Sequence, residues 1–118
     1  MEEIYEIGLL LDFYGQLLTQ RQFEVLDLHY NSDYSLREIA EHLGISRQGV
    51  YDNLKRGKTL LINFEKVLSL LEKHCKQKTI IEKIVNIVDS INIDNVSNED
   101  KEKLFEIKKY IVELSKDS

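Results

Sequence analysis

A chain of 118 residues, 42% hydrophobic and 31% charged, can bury one core without staples and is too apolar to be disordered. Proline is absent where about six would be usual, which favours long helices joined by tight turns, and the single Cys75 excludes an internal disulfide. The apolar runs are too short for a membrane span or a secretory signal, so a cytoplasmic protein with no membrane insertion is expected.

Helical spacing of Ile4, Ile7, Leu10, Leu11, Tyr14 and Leu17 predicts a first helix over about residues 3–16. Thr19 is placed to cap a second helix through Tyr30, with Phe23, Leu26 and Tyr30 on its apolar face and Val25 beside them. Residues 35–56 then read as a helix-turn-helix. Ser35 and Glu38 form a capping box, Ile39 and Leu43 point inward, and small Ala40 admits a close neighbour. Gly44 occupies the turn, Ile45 fills the corner, and Ser46 caps a helix that buries Val50 and Leu54.

That helix does not end at Arg56. Leu60, Leu61, Phe64, Val67, Leu68 and Leu71 continue its stripe toward His74 and Cys75, which predicts a helix of up to about 28 residues with a possible bend at Gly57. Lys76, Gln77 and Lys78 form either a turn or more helix. Residues 79–91 are β-branched enough for a strand, but Ile80, Ile84, Ile87, Val88 and Ile91 share one helical face. After a polar loop over 92–98, Ser97 and Asp100 start a last helix carrying Leu104, Phe105, Ile107, Ile111 and Leu114. The expected fold is all-α: a helix-turn-helix domain over 1–58, and a helical extension over 59–118 continuous with the recognition helix.

Charge is uneven along this layout. Residues 1–45 carry −7, residues 46–78 carry +5, and residues 79–118 carry −3. The positive segment opens where the recognition helix opens, which supports an anionic partner, although a solvated lysine-rich face would look the same. Arg47 suits guanine, while Gln48 and Asn53 suit adenine. Lys55, Arg56 and Lys58 suit phosphates, Ser46 offers a helix N-terminus, and Arg37 can reach a backbone from the preceding helix. Tyr51 belongs to the same outward set, although Tyr51 and Tyr34 read more readily as packing residues than as base-stackers. Asp52 is expected to pair with Arg56 one turn on.

His29, His42 and His74 lie far apart without ligand spacing, and Cys75 continues an apolar stripe. No glycine-rich phosphate loop or Ser-His-Asp set is present. No catalysis, metal or cofactor is expected. The apolar width from Leu60 to Leu71 instead predicts a homodimer, with Leu60, Leu61, Phe64, Val67, Leu68 and Leu71 at the interface.

Leu10-Leu11-Asp12-Phe13-Tyr14, Leu17-Leu18-Thr19, Asp33-Tyr34-Ser35-Leu36, Glu38-Ile39-Ala40 and Ser46-Arg47-Gln48-Gly49-Val50-Tyr51-Asp52-Asn53 together resemble the YlxM/p13-like family. These are small bacterial helix-turn-helix proteins linked to the signal recognition particle. The likeness covers residues 8 to about 72. A broader one is to the fourth conserved region of sigma factors, which reads promoter DNA. Gly49 stands where the family usually has alanine, and residues 79–118 match poorly. The resemblance implies a sigma-like, non-enzymatic accessory protein in co-translational targeting, with the particle's GTPase subunit or its small RNA as partner. Two other readings stay open: a transcriptional regulator reading duplex DNA with the same residues, and a dimeric adaptor that binds protein alone.

Overall fold

The computed structural model describes residues 3–116, which are helical or in turns, with no strand among them. Six α-helices follow one another: α1 (Glu3–Tyr14), α2 (Gln20–Leu26), α3 (Leu36–Leu43), α4 (Arg47–Leu68), α5 (Leu70–Asp89) and α6 (Asn98–Lys116). The chain divides into two compact units, 1–71 and 72–118. The division expected after residue 58 falls inside α4.

In the first unit α1 contributes Ile7, Leu10, Leu11 and Tyr14 to the core. The helix stops at Tyr14 and tightens into a 3-10 turn over Gly15–Leu17, short of the expected residue 16, and leaves Ile4 and Leu17 exposed. Thr19 caps α2 as expected, in a full capping box with Gln22. Here α2 ends at Leu26 and widens into a π turn over Asp27–Asn31. Val25 and Leu26 are fully buried, whereas Phe23 lies at the rim. The buried face is therefore rotated from the predicted one, because α4 packs along α2 and Val25 joins the cluster formed with α3.

Val25, Ile39, Ala40 and Val50 form the centre of the trihelical core, with Leu28, Tyr34, Leu36, Leu43, Ile45 and Leu54 around it. The turn between α3 and α4 rests on Gly44 at φ +67°, and Ala40 O accepts from both Gly44 N and Ile45 N. A side chain at that φ would be strained, so the glycine is required.

Gly57 does not bend α4. It sits buried in an unbroken helix, where an added Cβ would lie 2.6 Å from Leu26 Cδ1. Its role is to let α2 approach. The helix ends at Leu68 instead of running on toward Cys75, because Ser69 adopts φ +56°. A new helix starts at Leu70, and Lys76, Gln77 and Lys78 lie within it.

That break is held by a buried polar group. Tyr14 is 1% exposed, and its hydroxyl donates to Glu65 Oε1 at 2.7 Å while accepting from Leu70 N at 3.0 Å. Glu65 Oε1 also accepts from Leu71 N at 3.0 Å. Two N–H groups of the first turn of α5, which no intrahelical carbonyl can satisfy, thus find partners on α1 and α4. The second unit comprises the rest of α5 and α6, joined by a 3-10 turn over Ile93–Asn95. Ser97 Oγ accepts from Asp100 N at 3.2 Å, as the sequence predicts.

Candidate nucleic-acid interface

The helix-turn-helix core turns one edge of α4 outward. Val50 is fully buried and Leu54 half-buried, so residues between them at helical spacing point away from the core. Ser46 starts this edge. Its Oγ accepts from Gly49 N at 2.9 Å, which leaves the remaining first-turn N–H groups directed at solvent.

Arg47, Gln48, Tyr51, Asp52, Lys55 and Arg56 are all exposed along the edge. Arg47, Tyr51 and Lys55 stand one turn apart in a row about 12 Å long. Arg56 lies beside Lys55 and lines, with Gln22, Asp52, Thr59 and Leu60, a shallow groove between α2 and α4. Among the described residues no ion pair engages Arg47, Lys55 or Arg56. They present three positive charges against the one carboxylate of Asp52, on a chain whose net charge is −5.

Other expected members of the site are held elsewhere. Asn53 is half-buried and its Nδ2 donates to Gly49 O at 2.8 Å, so its amide hydrogen-bonds the helix backbone. Lys58 pairs with Glu3 of α1 and ties that helix to α4. Arg37 pairs with Glu41 at 3.3 Å on α3; both are well exposed, so the pair is weak and can open toward a ligand. Asp52 Oδ1 accepts from Gln48 Nε2 at 3.0 Å, the residue one turn before it, where the sequence suggested Arg56 one turn after. Tyr51 is 48% exposed, against the expectation that it packs. Tyr34 does pack: it joins the core rim and meets His42 edge-on at 5.7 Å.

The residues expected at a dimer interface also separate. Leu61 is fully buried and Leu71 nearly so, both in the core of the first unit. Leu60 and Phe64 are half-buried, Phe64 against the Tyr14 ring at 5.9 Å. Only Val67 and Leu68 of that set are exposed. His29 Nδ1 lies 2.8 Å from Tyr34 O, a contact inside the fold. Among the described residues no three His, Cys, Asp or Glu side chains gather as metal ligands would, and no helix is long and apolar enough to cross a membrane.

This geometry can be set beside known proteins. Residues 1–104 match the family described as helix-turn-helix protein, YlxM / p13 like. A UPF0122 protein of Acetivibrio thermocellus is 54% identical over 114 residues, 97% of each chain. One from Clostridium kluyveri is 45% identical over 112 residues, 95% of this chain and 97% of its own. One from Caldanaerobacter subterraneus is 54% identical over 76 residues, 64% of this chain. The full-length matches extend well past residue 79, so the last two helices share the kinship that the sequence assigned mainly to residues 8–72. An outward-facing helix-turn-helix edge and near end-to-end similarity lead to one conclusion: the chain belongs to the YlxM/p13-like family of helix-turn-helix proteins.

Proposed function

We propose that this protein is a cytoplasmic, non-enzymatic accessory factor of the signal recognition particle pathway that grips the particle's small RNA with the exposed edge of α4. One observation carries the reading. Among the described residues, Arg47 and Lys55 stand without an ion-pair partner in one row of α4 with Tyr51 exposed between them, and Arg56 stands likewise on the flank beside Lys55, in a chain whose net charge is −5.

Clustered cations not held in ion pairs favour phosphates, because no internal pair has to be broken before contact, and the acid among them, Asp52, is engaged by Gln48. An exposed tyrosine in the same row can stack on an unpaired base, which RNA loops offer and a closed duplex does not. Ser46 and its helix N-terminus add a dipole suited to one phosphate. Contact with the particle's GTPase subunit follows from the same location, and GTP turnover is the property through which the factor would act. Pairing of two copies, the remaining part of this reading, is independent of which ligand α4 grips.

Purified protein should bind the isolated particle RNA, and the triple variant Arg47→Ala, Lys55→Ala, Arg56→Ala should bind it at least tenfold more weakly. The wild type should also change the GTPase rate of the reconstituted particle. Protein that binds neither the RNA nor the GTPase subunit, and leaves turnover unchanged, would overturn the proposal. A second reading rests on the helix-turn-helix geometry itself, which presents the start of α4 as a major-groove reader does. Tighter binding to a defined duplex DNA than to the RNA at equal salt would favour it.

A further inference from the structure

The second unit carries two apolar stripes on α5. One stripe faces α6: Ile81 is buried, Val85 and Val88 are half-buried, and the matching face of α6 holds Leu104 and buried Ile111. Among the described residues of this unit only Ile81 and Ile111 are buried, each 8% exposed. A two-helix hairpin of this size has too little interior to hold its own fold in water.

The other stripe is Ile80, Ile84 and Ile87, continued by Ile91 just past the end of the helix; the four are 56%, 39%, 65% and 39% exposed. Their spacing of four, three and four residues is that of a helix–helix seam. At about 100° per residue this stripe lies about a quarter-turn from the stripe that faces α6. On antiparallel α6, Tyr110 lies about a quarter-turn from Ile111 and Ile107 about 40° from it, in the same rotational sense, and they are 60% and 42% exposed. Because the two helices run in opposite directions, both outer stripes emerge on one side of the hairpin. No charged residue falls on the α5 stripe between Gln77 and Ile91.

We infer that this side is where a second copy of the chain docks, hairpin against hairpin, to complete a four-helix bundle. Two arguments select a second copy. A two-fold axis sets one two-helix face against its own likeness and gives each hairpin the interior it lacks. The area left open on these six residues is about 550 Å² per copy, or roughly 1,100 Å² for the pair when all of it is covered, which passes the roughly 1,000 Å² threshold for a biological interface. This rests on the reading that the protein self-associates, and moves the contact from the 60–71 stretch to the outer face of α5 and α6.

The test is the mass of the full chain in solution across a dilution series, by sedimentation equilibrium. The wild type should be dimeric, at twice the 13.9 kDa chain mass. Ile87→Lys should be monomeric, while Val112→Lys, on the opposite flank of α6, should stay dimeric. Should Ile87→Lys lose helicity, Ile87→Ala carries the test: its dissociation constant should rise at least tenfold. A monomeric wild type overturns self-association altogether. A dimer whose dissociation constant is unchanged by either Ile87 variant, but raised by Val67→Lys, keeps self-association and overturns this surface.

Discussion

Gly57 and Gly49 occupy the same helix and make opposite demands. At Gly57 a methyl group would meet the fully buried Leu26 side chain at 2.6 Å. The gain in helix propensity is about 1 kcal/mol and overpacking costs about 1–3 kcal/mol. Gly57→Ala should therefore lower stability, by up to about 2 kcal/mol, in urea unfolding. At Gly49 the nearest atom is Ser46 Oγ at 3.1 Å, which need give only a few tenths of an ångström while it still accepts from Gly49 N. Gly49→Ala should leave stability unchanged or raise it by up to about 1 kcal/mol. The sequence marks both glycines, but only the packed structure separates a close approach from a loose turn. Tyr14 was likewise legible as a core residue, while its bonds to Glu65 and Leu70 span 51 and 56 residues and leave no local pattern. Burial, reinforced by the hydrogen bond to Glu65, raises its pKa above the ordinary 10.0, and burial raises that of Tyr30 as well. A raised pKa means the folded chain holds the proton more tightly than the unfolded one. The contribution is thus complete below pH 10 and is lost as pH climbs through the folded value. In alkaline titrations of stability, Tyr14→Phe should flatten the decline above pH 10. It should also be less stable at neutral pH by about 1–3 kcal/mol, because Leu70 N loses its acceptor.

At the scale of elements, the capped helix starts were plain, whereas the break between α4 and α5 and the end of α2 were hidden. Thr19, Ser35, Ser46 and Ser97 each accept from a backbone N–H three residues on, as hydroxyl caps at those positions should. The end of α4 was invisible because Phe64, Leu68 and Leu71 keep helical spacing across it, and no glycine or proline marks Ser69. The break is set by tertiary contacts: Glu65 and Tyr14 offer acceptors to the new helix, and a left-handed Ser69 follows. A non-glycine residue in that conformation carries strain of about 1 kcal/mol. Ser69→Gly should therefore stabilise the first unit by about 0.5–1 kcal/mol, whereas Ser46→Ala should cost about 1 kcal/mol through the lost cap. Thermal unfolding of both variants checks the two signs together. The π turn at Asp27–Asn31 also escaped the sequence, since Tyr30 keeps a plausible helical register through it.

For the whole molecule, the charge pattern along the chain points to the proposed site more directly than any single residue does. The +5 segment opens at Ser46, and the exposed cations of α4 lie at its start. Residue type alone could not tell a free cation from an engaged one. Lys58 matches Lys55 in chemistry, yet Lys58 pairs with Glu3 while Lys55 stands open. Asn53 matches Gln48 in its amide but bonds its own helix. The proposed site therefore narrows to Ser46, Arg47, Gln48, Tyr51, Lys55 and Arg56. The account rests on that edge touching phosphates, and the salt dependence of binding to the particle RNA reads this directly. Each phosphate contact adds about 0.7–0.9 to the slope of log K against log salt. The triple variant Arg47→Ala, Lys55→Ala, Arg56→Ala should lose about two to three units of slope, and Lys58→Ala should keep the wild-type slope. An unchanged slope in the triple variant, or an equal loss in Lys58→Ala, would contradict the account.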